Sequence, residues 1–267
     1  MADTVLFETR GAVGLITLNR PESLNAMDPE MLNTMHRIAA KAADSPAIRC
    51  LVVTGNGRAF SAGGDVKGMA ARPATDGNGT GGALGGVDLL REQEEISRLL
   101  AEMPKPTICA VNGVAAGAGM SVALAADLRI ASDQARFTTA FAKVGFSGDF
   151  GGTWFLQRLV GPLKAKELYF HSDVLSAQEA LDLGLVTKVV PHDTLMDETM
   201  ALAEKLAAGP TLAFGRIKDN FAFGATNTLA DTLTREAENM IASGKTADHQ
   251  SAARAFVAKQ APVFEGR

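Results

Sequence analysis

Cysteine is scarce in this chain. Its 267 residues hold two, Cys50 and Cys109, and neither belongs to a CxxC pair or a Cys/His spacing that would cage a metal ion. Both lie in apolar runs, CLVVTG and TICAVNG, that read as buried strands, so the expectation is reduced core thiols and no metal site. No run of about 18 apolar residues offers a membrane span. The opening MADTVLFETRG lacks the basic stretch and long apolar core of a signal peptide. Positive charge is not in excess either: the formal net charge is −4, whereas a nucleic-acid binder needs a basic face to neutralise phosphates. A GxxxxGK[ST] phosphate loop is also missing. What is present is a composition typical of a soluble globular protein, 46% hydrophobic and 21% charged. The chain is long enough for one large core, or a core with an extension. A cytoplasmic protein without nucleic-acid or membrane partners is expected.

Two alternating segments, Val5–Arg10 and 13–19, flank Gly11-Ala12 and predict a hairpin. Asp28 followed by Pro29 predicts a helix over 29–43, with Asp28 as N-cap and Pro29 in the first turn. The compact apolar run 48–54 predicts a buried strand. RAFSAGGDVKGM (58–69) reads as a loop leading into a short helix. Residues 70–86 are poor in large apolar side chains and read as a mobile loop, because they bury too little surface to offset their ordering entropy. A helix follows over 87–101, then a strand over Thr107–Val111, the loop NGVAAGAG, an Ala-rich helix to about Ala125, and a strand over 128–131. A strand–strand–helix rhythm thus recurs, which fits a stacked spiral better than a doubly wound sheet. From Leu195 onward the pattern is nearly all helical. The expected division is an α/β core of residues 1–195 and a helical region of residues 196–267.

Two Gly-rich segments each follow an apolar strand and precede a helix: Ser61-Ala62-Gly63-Gly64-Asp65 and Gly117-Ala118-Gly119. Missing side chains let a ligand approach the backbone, and a helix start offers unpaired N–H groups with a partial positive charge. Such groups can hold an oxygen that becomes negative during a reaction. Each segment alone reads equally well as a tight strand-to-helix turn.

Together the segments carry a resemblance. RPESLNAMDPEM, RAFSAGGDVKGM, AVNGVAAGAGMSVALAADLRIAS, ARFTTAFAKVGFSGDFGGTWFLQRLVG, LSAQEALDLGLVTKVV and ARAFVAKQAPVFEGR, in that order, resemble the crotonase (enoyl-CoA hydratase/isomerase) superfamily over nearly the whole chain. The resemblance implies a spiral of β-β-α units with a C-terminal helical region that assembles a homotrimer or dimer of trimers. It implies an acyl-CoA thioester as substrate, with coenzyme A as part of that substrate and no separate cofactor. The backbone N–H groups of Gly64 and Ala118 are then expected to form an oxyanion hole at the thioester carbonyl. Ala118 stands where many relatives have Gly, a harmless departure if only the N–H is used. Ser23, Leu24, Ala26, Ala62, Asp65, Val66 and Lys67 are expected along the coenzyme channel, and Phe256 and Lys259 against the coenzyme of a neighbouring subunit.

The resemblance also bears on the reaction. Hydratases of the family use two glutamates to activate water, and the matching positions here are Ser121 and Phe141. One carboxylate matches a position used by isomerases of the family: Asp149, in GFSGDFGGT. The GDFGGTW context and the tail SAARAFVAKQAPVF are most similar to ring-epoxide phenylacetyl-CoA isomerases. An isomerase takes a proton and returns it elsewhere, work that one carboxylate can do. If Phe141, Phe146 and Phe150 share its cavity, desolvation raises its pKa. Asp149 reads alternatively as the cap of the following helix. The expectation is an acyl-CoA isomerase with Asp149 as sole acid/base. The alternatives are an enoyl-CoA hydratase with an altered acid/base set and a non-catalytic acyl-CoA-binding trimer.

Overall fold

The computed structural model describes residues 3–65, 68 and 86–267. The expected short helix after Asp65 and nearly all of the expected loop 70–86 lie outside the described residues. In chain order the elements begin with β1 (Val5–Arg10), β2 (Val13–Leu18), α1 (Pro29–Asp44), β3 (Cys50–Gly55), β4 (Ala59–Ser61) and α2 (Val87–Glu102). Next come β5 (Thr107–Val111), β6 (Val114–Ala116), α3 (Ala118–Ala125), β7 (Leu128–Ser132), β8 (Arg136–Thr138), and α4 (Gly152–His171), which is broken at Gly161-Pro162. The chain continues through β9 (Leu175–Ser176), α5 (Ala177–Asp182), β10 (Lys188–Val190), α6 (Leu195–Ala207), α7 (Thr211–Gly224), α8 (Leu229–Gly244) and α9 (Ala247–Val257).

Two sheets result. The larger has the order β1-β2-β3-β5-β7-β10 and the smaller β4-β6-β8-β9. β1 and β2 form the expected hairpin, with Gly11 in the left-handed region at the turn. From β2 to β10 the larger sheet is parallel. Each pass of the chain places one strand in the larger sheet and the next in the smaller, so β3, β5 and β7 stack in one and β4, β6 and β8 in the other. That is the spiral the rhythm predicts. Of the four strands of the smaller sheet, β4 and β6 fall in segments that the sequence reads as loops, because three residues are too few for an alternation to register.

β2, β3, β5 and β7 of the larger sheet are buried on both faces, which explains their continuous apolar runs. Ile16, Leu18, Leu51, Val53, Cys109 and Val111 face the main core with α1, α2 and α3. Val13, Leu15, Cys50, Val52 and Ile108 face Met200, Ala203 and Ala207 of α6. Burial pushes both thiols up to about 12, as expected of inert core cysteines. α1 starts as predicted: Asp28 accepts a hydrogen bond from the Met31 N–H at 2.9 Å, and Pro29 occupies the first turn. α7 to α9 bury little of their surface, and α8 has no buried residue. Arg49 ties this region to the core through Gly209 O, Thr211 Oγ1 and Phe264 O.

α3 is buried along its whole length, and its first turn is wedged against the end of β4. A Cβ on Gly119 would lie 2.5 Å from Ser61 O and 2.7 Å from Ser61 Cβ. Gly119→Ala therefore forces backbone apart rather than turning a side chain. It is expected to lower stability by about 1–3 kcal/mol, read as a fall in urea midpoint with an unchanged slope.

Candidate active site

The first Gly-rich segment leaves β4 and is held by the loop between Arg20 and Asp28. Ala62 N–H donates to Leu24 O at 2.9 Å, Met27 N–H to Gly63 O at 2.7 Å, and Asp65 N–H to Met27 O at 3.2 Å. Met27 and Gly64 thereby form an isolated parallel bridge. Such a bridge uses the groups flanking one partner and turns that partner's own N–H the other way. The Gly64 N–H accordingly has no acceptor among the described residues. The supporting loop is itself locked. Asn25 is fully buried and left-handed, a conformation asparagine tolerates. Its side chain accepts from Arg20 N–H and donates to Asn56 O and Ala59 O. The Arg20 guanidinium donates to Ala26 O at 2.6 Å and pairs with Asp28 at 3.1 Å and Asp65 at 3.4 Å.

The second segment enters α3. Gly117 N–H is taken by Thr138 O of β8, and Ala118 is the first helical residue, whose N–H has no intrahelical acceptor. The two segments touch backbone to backbone. A Cβ on Gly63, where φ is 91°, would lie 2.7 Å from Ala116 O and 3.3 Å from Ala118 N; only glycine fits there. Gly64 and Ala118 line one cavity of about 190 Å³, walled by Met27, Leu32, Leu89, Leu90 and Phe150.

Asp149 lines the same cavity. It does not cap α4: the N-cap is Gly151, and no side chain bonds that helix start. The next residue, Phe150, is left-handed, and its N–H donates to Glu94 Oε1 of α2 at 2.9 Å. Asp149 Oδ1 is buried and has no hydrogen-bond partner among the described residues. Its pKa is raised from an ordinary 3.8 to about 7, first by burial and second by the negative charge of Glu94. Of the three phenylalanines expected around it, Phe150 lines the cavity. Phe146 is exposed, and Phe141 stacks on Tyr169 with ring centroids 5.9 Å apart. The other carboxylates of the cavity, Asp28 and Asp65, are paired with Arg20.

The remaining predicted residues fall into groups. Ser23, Leu24, Ala26, Ala62 and Asp65 come together where the two loops meet: Ser23 Oγ donates to Arg20 O, and Asp65 Oδ1 accepts from Gly68 N–H. Val66 and Lys67 lie outside the described residues. Phe256 and Lys259, in and after α9, are exposed and do not line this cavity. Ser121 bonds back to Gly117 O at 3.3 Å, as a mid-helix serine does. Trp154 is 43% exposed under the Arg158 guanidinium, and no histidine lines the cavity. Sequence reasoning missed Glu94 and Gln93, both on α2. One signal was available: Gln93 interrupts the apolar stripe Leu89, Ile96, Leu100.

Residues 8–267 match the sequence profile of the enoyl-CoA hydratase/isomerase family. The chain is 39% identical to the 1,2-epoxyphenylacetyl-CoA isomerase of Escherichia coli K12, over all of both chains. It is 33% identical to a short-chain-enoyl-CoA hydratase of Clostridium acetobutylicum, over 97% of this chain and 96% of the other. A crystal structure of an enoyl-CoA hydratase from Polaromonas sp. JS666 superimposes with a TM-score of 0.88 at 32% identity, covering 97% of this chain and 99% of that one.

The raised pKa has a consequence for stability. Native Asp149 holds its proton more tightly than an unfolded aspartate, so stability is present below about pH 4 and is lost as pH rises to about 7. Asp149→Asn removes that loss. At about pH 8 the variant is expected to be more stable than the parent by roughly 1–3 kcal/mol, with no gain near pH 4. Urea denaturation at the two pH values measures both.

Proposed function

Because the chain belongs to the enoyl-CoA hydratase/isomerase family, we propose that it is an acyl-CoA isomerase with Asp149 as its single acid/base. The N–H groups of Gly64 and Ala118 stabilise the thioester enolate. The observation that carries this reading is the one cavity lined by Gly64, Ala118 and Asp149.

The chemistry follows from the parts. The thioester oxygen accepts from the two amides. Asp149, ionised, removes a proton from a carbon activated by that carbonyl, and the electron pair moves onto the oxygen. Two donors poised for that charge favour the enolate over the neutral thioester, each contributing about 2.7–4 kcal/mol. The start of α3 adds a partial positive charge. The carboxylic acid then returns its proton to a different carbon, the double bond shifts, and the enzyme is regenerated. A pKa of about 7 suits both halves of this cycle, since the group must take and give a proton near neutral pH. Enoyl-CoA and ring-1,2-epoxyphenylacetyl-CoA thioesters are the substrate classes, the latter supported by the likeness to the Escherichia coli enzyme.

The coenzyme part of the substrate lies along Ser23, Leu24, Ala26, Ala62 and Asp65, continued by Val66 and Lys67. Phe256 and Lys259 reach it from a neighbouring subunit of a homotrimer or dimer of trimers. Exposed apolar side chains on α8 and α9, among them Leu233, Met240, Ile241 and Val257, support such an assembly. A hydratase reading is favoured by the Clostridium relative, but it requires a second group to hold water, and the Ser121 hydroxyl is turned onto Gly117 O. Crotonyl-CoA hydration at rates comparable to isomerisation would favour that reading.

Asp149→Asn is expected to slow isomerisation, and solvent deuterium exchange into the thioester, by about 100- to 10,000-fold. Unchanged turnover would remove Asp149 from its role. In the parent enzyme kcat/KM is expected to rise with pH through about 7, as Asp149 ionises. Glu94→Gln keeps an acceptor for the Phe150 N–H but removes the charge, so the same limb is expected at lower pH. A limb that stays in place would exclude Glu94 as a tuning charge.

A further inference from the structure

The Gln93 side chain has no place in the mechanism above, yet it sits in the wall of the same cavity. It is 9% exposed. Its carboxamide makes no hydrogen bond to any described residue. α2 presents Leu89, Leu90 and Gln93 to the cavity, and one residue further on Glu94 grips the Phe150 N–H. Gln93 is therefore on the helical turn that abuts the Asp149–Phe150 segment. It occupies a position in the Leu89, Ile96, Leu100 stripe where an apolar residue would pack without penalty. A carboxamide without a protein partner that stays open to the cavity keeps its hydrogen-bonding capacity for whatever fills that cavity.

We infer that Gln93 is a specificity-determining residue whose carboxamide hydrogen-bonds an oxygen on the acyl group, remote from the thioester carbonyl. The substrate is then an oxygen-bearing acyl-CoA rather than a plain hydrocarbon one. The carboxamide offers both a donor and an acceptor, so it serves a hydroxyl, an epoxide or a ring oxygen. Met27, Leu32, Leu89, Leu90 and Phe150 make much of the wall apolar, and its carboxylates are Asp28 and Asp65, which pair with Arg20, and Asp149, so the neutral polar side chain offered to an acyl oxygen is Gln93. A hydrocarbon acyl group leaves that amide desolvated and unpaired, and such a site discriminates against the analogue lacking the oxygen. The inference rests on the reading of this cavity as the acyl site, but not on Asp149 being the acid/base.

The test is direct binding of unreactive thioesters, which needs no turnover. Phenylacetyl-CoA is compared with its ortho-, meta- and para-hydroxylated forms by calorimetry on the full chain. The parent protein is expected to bind at least one hydroxylated form about tenfold or more tighter than phenylacetyl-CoA. In Gln93→Met, which keeps length and removes the amide, that preference is expected to vanish while phenylacetyl-CoA binds as well or better. Absence of preference in the parent overturns the inference without any variant. So does a preference that survives in Gln93→Met, or an equal weakening of all four ligands, which marks a purely structural role. Gln93→Leu serves as the second variant if Gln93→Met folds poorly. If no thioester binds the parent at all, the acyl-CoA reading itself fails. If binding discriminates as expected while Asp149→Asn retains turnover, the acid/base assignment alone fails.

Discussion

The close approach of two backbone segments governs this molecule. Gly63 lies so near Ala116 and Ala118 that a methyl group would not fit between them, and Gly119 lies equally near Ser61. Those contacts bring the end of β4 and the start of α3 to one point. They leave the N–H groups of Gly64 and Ala118 without acceptors among the described residues, while those of Ala62, Gly63, Asp65 and Gly117 are bonded. The spiral supplies the contact: β4 and β6 are adjacent parallel strands of the smaller sheet, so the segments that leave them are adjacent as well.

Around that point the protein arranges charge by burial. Arg20 neutralises Asp28 and Asp65 at the cavity mouth and ties down the loop that carries Met27. Asp149 has no such partner among the described residues. It is desolvated and lies near the charge of Glu94, and the two raise its pKa to about 7. Among the described residues three carboxylates line one cavity, two of them paired with Arg20 and the third, Asp149, buried with an unbonded oxygen. Tyr169, which burial pushes up to about 12, stays a neutral hydroxyl behind this site. A Cβ on Gly152 would overlap both its hydroxyl and Ser121 Oγ, so the wall behind Asp149 is tightly filled.

Much of this was legible along the chain. The hairpin, the Asp28 cap, the buried strand over Thr107–Val111 and the Ala-rich α3 each follow from local rules: a turn residue, a capping side chain, an unbroken apolar run, a helix apolar on every side. The recurrence of two strands and a helix pointed to the spiral. The two Gly-rich segments stood out as strand-to-helix turns, the ordered motifs matched a known family, and Asp149 stood out through that match. The strands β4, β6 and β8 escaped notice since each is three residues of small or mixed side chains.

The sequence by itself determined the longer secondary elements, the family and the choice of Asp149 as candidate carboxylate, because those depend on neighbours within a few residues or on ordered motifs. Tertiary structure alone decided which groups share a cavity. Glu94 and Gln93 meet Asp149 and Phe150 across more than fifty positions of chain, and Phe141, only eight residues from Asp149, stacks on Tyr169 and does not line the cavity. Burial and mutual charge act through space, so proximity in sequence carries little information about either.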